Sequence, residues 1–499
     1  MINTLLLLLI ISPLVAIVLV YLPNLYSSSK ERESSNSFGS SSFYWSIALI
    51  SSSFIFFLSS IIWLSYNHHT VYFQGLQVFE WDTFGGISLV FGIDGISILL
   101  VQLTTFLIPI CFLASMASIK TRVQDYIALF FLIEFLCICS FCFFDLLLFY
   151  VFFEAVLIPM FVIIGIWGSR ERKVRAAYQF FLYTLLGSVF MLFAILLIWS
   201  ETGTTNYFVL LSTSFSEELQ LWLWLAFFCA FAVKVPMVPF HLWLPEAHVE
   251  APTAGSVLLA GILLKLGTYG FMRYSLALLP IASLFYMPFV FVICAIGVLY
   301  ASLTTIRQVD LKKIIAYSSV AHMGVVMLGL FALTPQGLQG SLILMLGHGI
   351  VSGALFLCIG VLYDRYHTRV LKYYGGLVQV MPIFASLFIF FTLANIGFPG
   401  LSNFVGEMLC FIAIFERNFF VAFLAVGGTL FGVGYSMWLA NRLLFGPLRV
   451  VSAAYHDLTL VDVVIFTPFV FLTLLMGIYP KLFLDTSYVS VLGIMSIYL

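Results

Sequence analysis

The chain has 499 residues, 63% hydrophobic and 9% charged, far below the roughly 25% charged residues of soluble domains. Its mean hydropathy is +1.13, which excludes an ordinary soluble domain and predicts an all-α polytopic membrane protein. A net charge of -1 provides no basic field and argues against nucleic acid as a partner.

The N-terminus reads MINTLLLLLI with no Lys or Arg before Lys30. Neither a basic secretory n-region nor an arginine-rich transit segment is visible, so the first helix is expected to be retained. Apolar runs of about 20 residues, enough to cross a bilayer core, occur fourteen times. They lie near 3–22, 43–64, 88–114, 126–143, 146–167, 176–199, 219–243, 254–274, 283–306, 311–333, 338–362, 382–411, 418–444 and 460–482, and are numbered here as spans 1 to 14. The Ser-rich stretch SSSKERESSNSFGSSS (27–42) is expected to be a loop without chemistry. Sixteen of the 21 Lys and Arg residues fall in connections after odd-numbered spans, including RERKVR (170–175), whereas Arg273, Arg417 and Lys481 fall on the other side. The positive-inside rule then places the odd connections inside and both termini outside.

The eight cysteines all lie in apolar runs, which predicts buried thiols rather than a disulfide framework. Cys137, Cys139 and Cys142 share one apolar helix without a second ligand set and are not expected to bind metal.

The stretch from Val233 to Gly270 places Lys234 and Lys265 in sequence apolar enough for the bilayer interior, separated by Pro236, Pro239 and Pro245. An uncompensated lysine there costs about 2.5–3.5 kcal/mol on insertion scales. The prolines predict that span 7 is broken within the membrane. Helical rise puts Glu154 roughly 12 Å into span 5, Lys265 and His322 roughly 16 Å into spans 8 and 10, and His348 roughly 15 Å into span 11. Glu407 follows a second interruption, with Gly397, Pro399 and Gly400 in TLANIGFPGLSNFVGEML of span 12.

These breaks recur with a five-helix period. Spans 4–8 (126–274) carry Glu154 on the second helix and Lys234 on the broken fourth, while spans 9–13 (283–444) carry His322 and Glu407 in the matching places. An odd number of helices per unit makes the copies inverted, the pattern of transporters with a mid-membrane site. Residues 1–125 then form three leading helices, and 445–499 a last helix with a short tail. Glutamate, lysine and histidine at such depth suit proton exchange, with Glu154 expected near Lys234. The same residues also suit a static reading: fixed ion pairs for Glu154, Lys234 and Lys265, interhelical hydrogen bonds for His322 and His348, and backbone capping or contact with water for Glu407. His241, Glu246, His248 and Glu250 cluster at the inner end of span 7, where interfacial hydration competes with proton entry. Glu134 and Asp94 remain open between structural and functional roles.

The segments FYVFFEAVLIPMFVIIGIWG, FAVKVPMVPFHLWLPEAHVEAPTAGSVLLAGILLKLGTYG, LKKIIAYSSVAHMG and NIGFPGLSNFVGEML resemble the antiporter-like membrane subunits of respiratory NADH:ubiquinone oxidoreductase, complex I. The resemblance covers most of the fourteen spans. It implies that Glu154, Lys234 and Lys265 are the family's span-5, span-7 and span-8 proton-transfer residues, continued through His322 and His348 to Glu407. Sister subunits have lysine at this last position, and the glutamate, like the short C-terminus, singles out one branch. The resemblance further implies proton translocation driven by electron transfer elsewhere in the complex, and no cofactor in this chain. NADH, FMN, iron–sulfur clusters and ubiquinone are expected in other parts of the complex. The implied partners are other membrane-arm subunits, sister antiporter-like subunits among them, and membrane lipids. The implied location is the mitochondrial inner membrane, with both termini on the intermembrane-space side. A cation/proton antiporter subunit of the same fold and a structural scaffold are the rival readings.

Overall fold

The computed structural model describes residues 2–26, 38–80, 88–449 and 456–498. Its architecture is a bundle of membrane-length helices. Among the described residues, twelve helices are long and apolar enough to cross a membrane by length and composition. Two further crossings are made in pieces: span 7 as Glu217–Lys234 and Trp243–Glu250, and span 12 as Pro382–Ile396 and Ser402–Arg417. Both interruptions fall where proline and glycine predict them.

Burial divides the spans into two classes. Span 8 (Thr253–Leu276) and span 11 (Pro335–Tyr366) are buried along their most apolar stretches, and span 10 (Leu311–Phe331) nearly so. Spans 1, 2, 13 and 14 instead expose side chains such as Leu8, Phe57, Phe423 and Phe471, the expected face toward acyl chains. The central spans are the ones that carry Lys265, His322 and His348.

Where central helices cross, glycine lets backbones meet. A Cβ at Gly340 of span 11 would lie 2.7 Å from Leu409 Cβ, and one at Gly406 of span 12 would lie 2.7 Å from the Leu344 amide nitrogen. A Cβ at Gly329 of span 10 would lie 2.5 Å from Cys410 Sγ. Spans 10, 11 and 12 are thus seamed together without room for a methyl group.

Several expectations need correction. Residues 88–93, counted as the start of span 3, form a strand, Ser88–Ile93, paired antiparallel with Gln74–Glu80 so that Val78 faces Val90. The all-α bundle therefore carries one small hairpin. Span 3 begins at Gly95, and its cap is visible in the sequence: Asp94 Oδ1 accepts from the Ser97 amide at 2.8 Å while Ser97 Oγ accepts from the Asp94 amide at 2.9 Å. This reciprocal pairing satisfies amides that the helix start leaves open. Span 2 begins at Phe38, inside the stretch expected to be a loop, whose residues 27–37 lie outside the described residues. The tail after span 14 contains a further helix, Lys481–Met495, packed so closely on span 3 that Ser490 Oγ accepts from the Gly95 amide at 2.9 Å.

Arg273, sorted above with the connections, lies inside span 8 and is buried. It is paired with Asp94 and surrounded by the rings of Phe73, Phe144, Tyr207 and Tyr269 at 5.2 to 5.7 Å. Asp94 thus has a structural role, joining the hairpin, span 3 and span 8. Lys312, also sorted with the connections, is buried and donates to the Ala251 carbonyl at 2.8 Å and to Ser256 Oγ at 3.3 Å. Arg369 is likewise buried and donates to the Val249 carbonyl. Two basic residues from the second half of the chain therefore hold the connection between spans 7 and 8.

Replacing Asp94 by Asn leaves Arg273 buried without its counter-charge, a change expected to cost about 3–5 kcal/mol. Thermal unfolding of the purified assembly checks this, and Asp94→Asn combined with Arg273→Met is expected to recover most of the loss.

Candidate functional site

Glu154 stands next to a bend. Span 5 is not one helix but two, Leu146–Ala155 and Leu157–Trp167, separated at Val156. Pro159 supplies the cause: it has no amide hydrogen, so the Ala155 carbonyl lacks its donor four residues on. The bend lies beside Lys234, whose Nζ donates to the Phe153 carbonyl at 2.7 Å and sits 3.8 Å from the centre of the Phe153 ring. Lys234 Nζ is 3.9 Å from Glu154 Oε1, close enough for charge attraction but beyond hydrogen-bond length. Ser188 stands beside the Glu154 carboxylate, but no protein donor reaches either oxygen in good hydrogen-bond geometry.

Lys234 is the last residue of the first half of span 7, where the helix carbonyls favour a cation. The interruption that follows is satisfied internally. Trp243 Nε1 donates to the Val233 carbonyl at 2.9 Å, and the Met237 amide reaches back to the Ala232 carbonyl at 2.9 Å. This is how a broken helix survives away from water.

Lys265 lies between two π-helical turns, Leu259–Leu263 and Phe271–Leu276. Widened turns of this kind are frequent at functional positions. The amine donates to the Ala260 carbonyl, five residues back, and meets His348 Nδ1 at 2.9 Å. An ammonium donates to a neutral imidazole, and a neutral amine accepts from an imidazolium, so the same contact serves with the proton on either side. The His348 and His322 ring centres are 5.9 Å apart, and His322 Nδ1 is 3.2 Å from Glu407 Oε1. Glu407 folds back on the break in span 12: a Cβ on Gly397, whose φ is +79°, would lie 2.5 Å from Glu407 Oε2.

The six residues expected to form a row thus occupy two groups, Glu154 with Lys234, and Lys265 with His348, His322 and Glu407. The groups abut at Gly267, where a Cβ would lie 3.1 Å from Lys234 Cβ. Glu134 is fully buried, and neither of its oxygens has a hydrogen-bonded partner. It lies on span 4 with the buried Cys137. Of the cluster left open between interfacial hydration and proton entry, His248 and Glu250 are buried, His248 stacked 4.6 Å from the Phe356 ring. His241 is buried too, edge-on to Tyr300 and Tyr317, while Glu246 pairs with Lys313 at 2.7 Å in a partly exposed position. Cys137, Cys139 and Cys142 are buried free thiols. Among the described residues no cluster of three or more His, Cys, Asp or Glu side chains is arranged to hold a metal.

A small cavity of about 20 Å³ adjoins His322 and Glu407, lined also by Ser302, Asn395, Gly432 and Tyr435. The sequence reading missed Asn395 and Tyr435. The signal available was the spacing of Gly428, Gly432 and Tyr435, which places all three on one face of span 13.

Residues 144–432 match the family described as NADH:quinone oxidoreductase/Mrp antiporter, TM. The NADH-ubiquinone oxidoreductase chain 4 of Arabidopsis thaliana is 56% identical, over 89% of this chain and 90% of the relative. That of Chondrus crispus is 51% identical over 98% of both. This chain belongs to the NADH-ubiquinone oxidoreductase chain 4 family. Consistent with membership of that family, a chain of respiratory complex I from Thermus thermophilus superposes with a TM-score of 0.88 at 28% identity, covering 100% of this chain and 99% of that one. A chain of the Mrp complex from Dietzia sp. shares the fold, with a TM-score of 0.85 at 20% identity over 99% and 98% of the two chains.

Gly397→Ala is expected to destabilise the break in span 12 by about 1–2 kcal/mol through its left-handed backbone alone, and to push Glu407 off its seat. A lowered unfolding temperature for Gly397→Ala, with Gly427→Ala unchanged because nothing lies within 4 Å of a Cβ there, is the expected pattern.

Proposed function

We propose that this chain is a core membrane-arm subunit of respiratory complex I that carries protons across the membrane, coupled to electron transfer from NADH to ubiquinone. The observation that supports this reading most is the hydrogen bond of Lys265 with His348, continued by His322 to Glu407. Its members can each hold or release a proton, and neighbouring members approach within one side-chain length. Glu154 supplies the control. At 3.9 Å its negative charge favours the protonated form of Lys234, and a change that draws it away favours release toward Lys265. The bend at Val156 is a natural place for such a shift, because a helix lacking one of its bonds is more easily deformed there.

In this reading the two inverted five-helix units are 126–274 and 283–444, joined at mid-depth by Lys265 and His348. The chain sits in the mitochondrial inner membrane with its basic connections on the matrix side and its termini on the other. Sister antiporter-like subunits adjoin it, and NADH, flavin, iron–sulfur clusters and ubiquinone are handled by other parts of the complex. The shared fold with an Mrp complex chain motivates one rival, a cation/proton antiporter subunit, for which transport would depend on sodium rather than NADH.

Membranes carrying Lys234→Ala or Glu154→Gln are expected to move protons through this chain roughly a hundredfold more slowly or worse, the range for removal of one proton-transfer group, and so to translocate fewer protons per NADH oxidised. The assay follows NADH oxidation and external acidification together. A normal proton yield in whatever complex assembles would make the charges mere helix fasteners.

A further inference from the structure

Span 11 has a notch directly before His348. A Cβ on Gly347 would lie 2.7 Å from Asn403 Oδ1 and 3.3 Å from Ser402 Cβ and Oγ. The two side chains that open the second half of span 12, Ser402–Arg417, thus fill the space that the glycine leaves. Asn403 is fully buried there, and its carboxamide is only half engaged. Ser402 Oγ donates to Asn403 Oδ1 at 3.4 Å, which fixes the oxygen on the Ser402 side and leaves the nitrogen on the other arm of the amide. That nitrogen, Nδ2, has no hydrogen-bonded protein partner. A buried donor without an acceptor is costly and rare.

The acceptor nearest in register is open as well. Glu407 follows Asn403 by one helical turn, and residues four apart on a helix share a face, with Cβ atoms about 5–6 Å apart. Glu407 leans back over that turn, since its Oε2 occupies the place of a Cβ on Gly397, and helical side chains point toward the N-terminus in this way. Its Oε1 stands 3.2 Å from His322 Nδ1 yet is buried without a hydrogen bond of good geometry. One turn of span 12 therefore carries an unpaired donor against span 11 and an unpaired acceptor against span 10. Rotation of the two side chains brings them together, and amide–carboxylate pairs at this spacing form hydrogen bonds.

We infer that Asn403 is a positioning residue for Glu407: its carboxamide, seated in the Gly347 notch, is the second partner to which the Glu407 carboxylate turns when it leaves His322. The inference rests on the proposed proton row and deepens it, because it gives Glu407 a place to stand after its proton has moved on. A carboxamide is not an ionisable group, so it holds the carboxylate in register without taking the proton itself. Asn403 acts through Glu407 and is not a member of the row.

The test follows NADH oxidation and external acidification together in membranes, normalised to assembled complex, for Asn403→Ala, Asn403→Ser, Asn403→Leu and Glu407→Gln. Alanine and serine are nearly equal in size and differ in one hydroxyl, whereas leucine restores the volume of asparagine without a donor. Loss of the donor is expected to slow proton movement through this chain roughly tenfold, the equivalent of one hydrogen bond to a charged group. Asn403→Ala and Asn403→Leu then translocate fewer protons per NADH oxidised. Asn403→Ser, whose hydroxyl reaches the carboxylate through a water in the vacated space, stays nearer the unaltered yield. Should Asn403→Leu fail to assemble, Asn403→Ala against Asn403→Ser decides. Equal yields in these two, at any level, would overturn the inference, as would a yield kept by Asn403→Leu alone, which would make the side chain a filler of the notch. A normal yield in Glu407→Gln would overturn the row itself and, with it, the role given to Asn403.

Discussion

An ammonium group in the middle of a bilayer persists only where the protein replaces the water it has lost. Lys234 meets that requirement without a hydrogen-bonded carboxylate. Its replacements are a backbone carbonyl, an aromatic face and a helix end, with the charge of Glu154 nearby but not in contact. The arrangement depends on backbone irregularity: span 7 must end at Lys234, and span 5 must bend beside it. Lys265 is accommodated by the same means, since widened turns bring the Ala260 carbonyl within its reach. Both amines thus take a backbone carbonyl where a helix is irregular.

This dependence separates what could be read from the chain from what could not. The number of crossings, the breaks in spans 7 and 12, and the residues at mid-depth follow from hydropathy, proline and helical rise, which are local properties. The proximity of Glu154 and Lys234 was expected from charge. The bend at Val156 was legible in principle from Pro159 but was masked by the continuous apolar run around it. The π-helical turns flanking Lys265 had no comparable signal, because Leu259–Leu263 is ordinary helical sequence and the widening is imposed by packing. Arg273 and Lys312 are indistinguishable in sequence from topology signals, because a count of basic residues cannot separate an interfacial cation from a buried one. The hairpin before span 3 was hidden for a similar reason, since SLVFGI suits strand and apolar helix alike. Tyr435 escaped because one hydroxyl on a lipid-facing helix becomes significant only when span 10 is known to lie behind it.

The Asp94–Arg273 ion pair at one end of span 8 differs in kind from the mid-depth groups. Asp94 and Arg273 are in direct contact within a shell of aromatic rings, and Asp94 is also committed to capping span 3. Such a pair is fixed by everything around it and suits a joint. The mid-depth residues are held more loosely: Glu154 lacks a hydrogen-bonded donor, and His322 and His348 each leave Nε2 open. Open valences at buried titratable groups are costly for stability and suit groups that change partners.

The glycine seam of spans 10, 11 and 12 bears on heritable variation. Every change at the first or second base of a glycine codon adds a side chain or ends translation. At Gly329, Gly340 and Gly406 an added Cβ would fall within 2.5 to 2.7 Å of an atom already in place. These positions therefore have no conservative neighbour in the genetic code. A lineage can vary the lipid-facing phenylalanines of the same molecule in small steps, whereas at the seam an amino-acid change requires compensation on the facing helix.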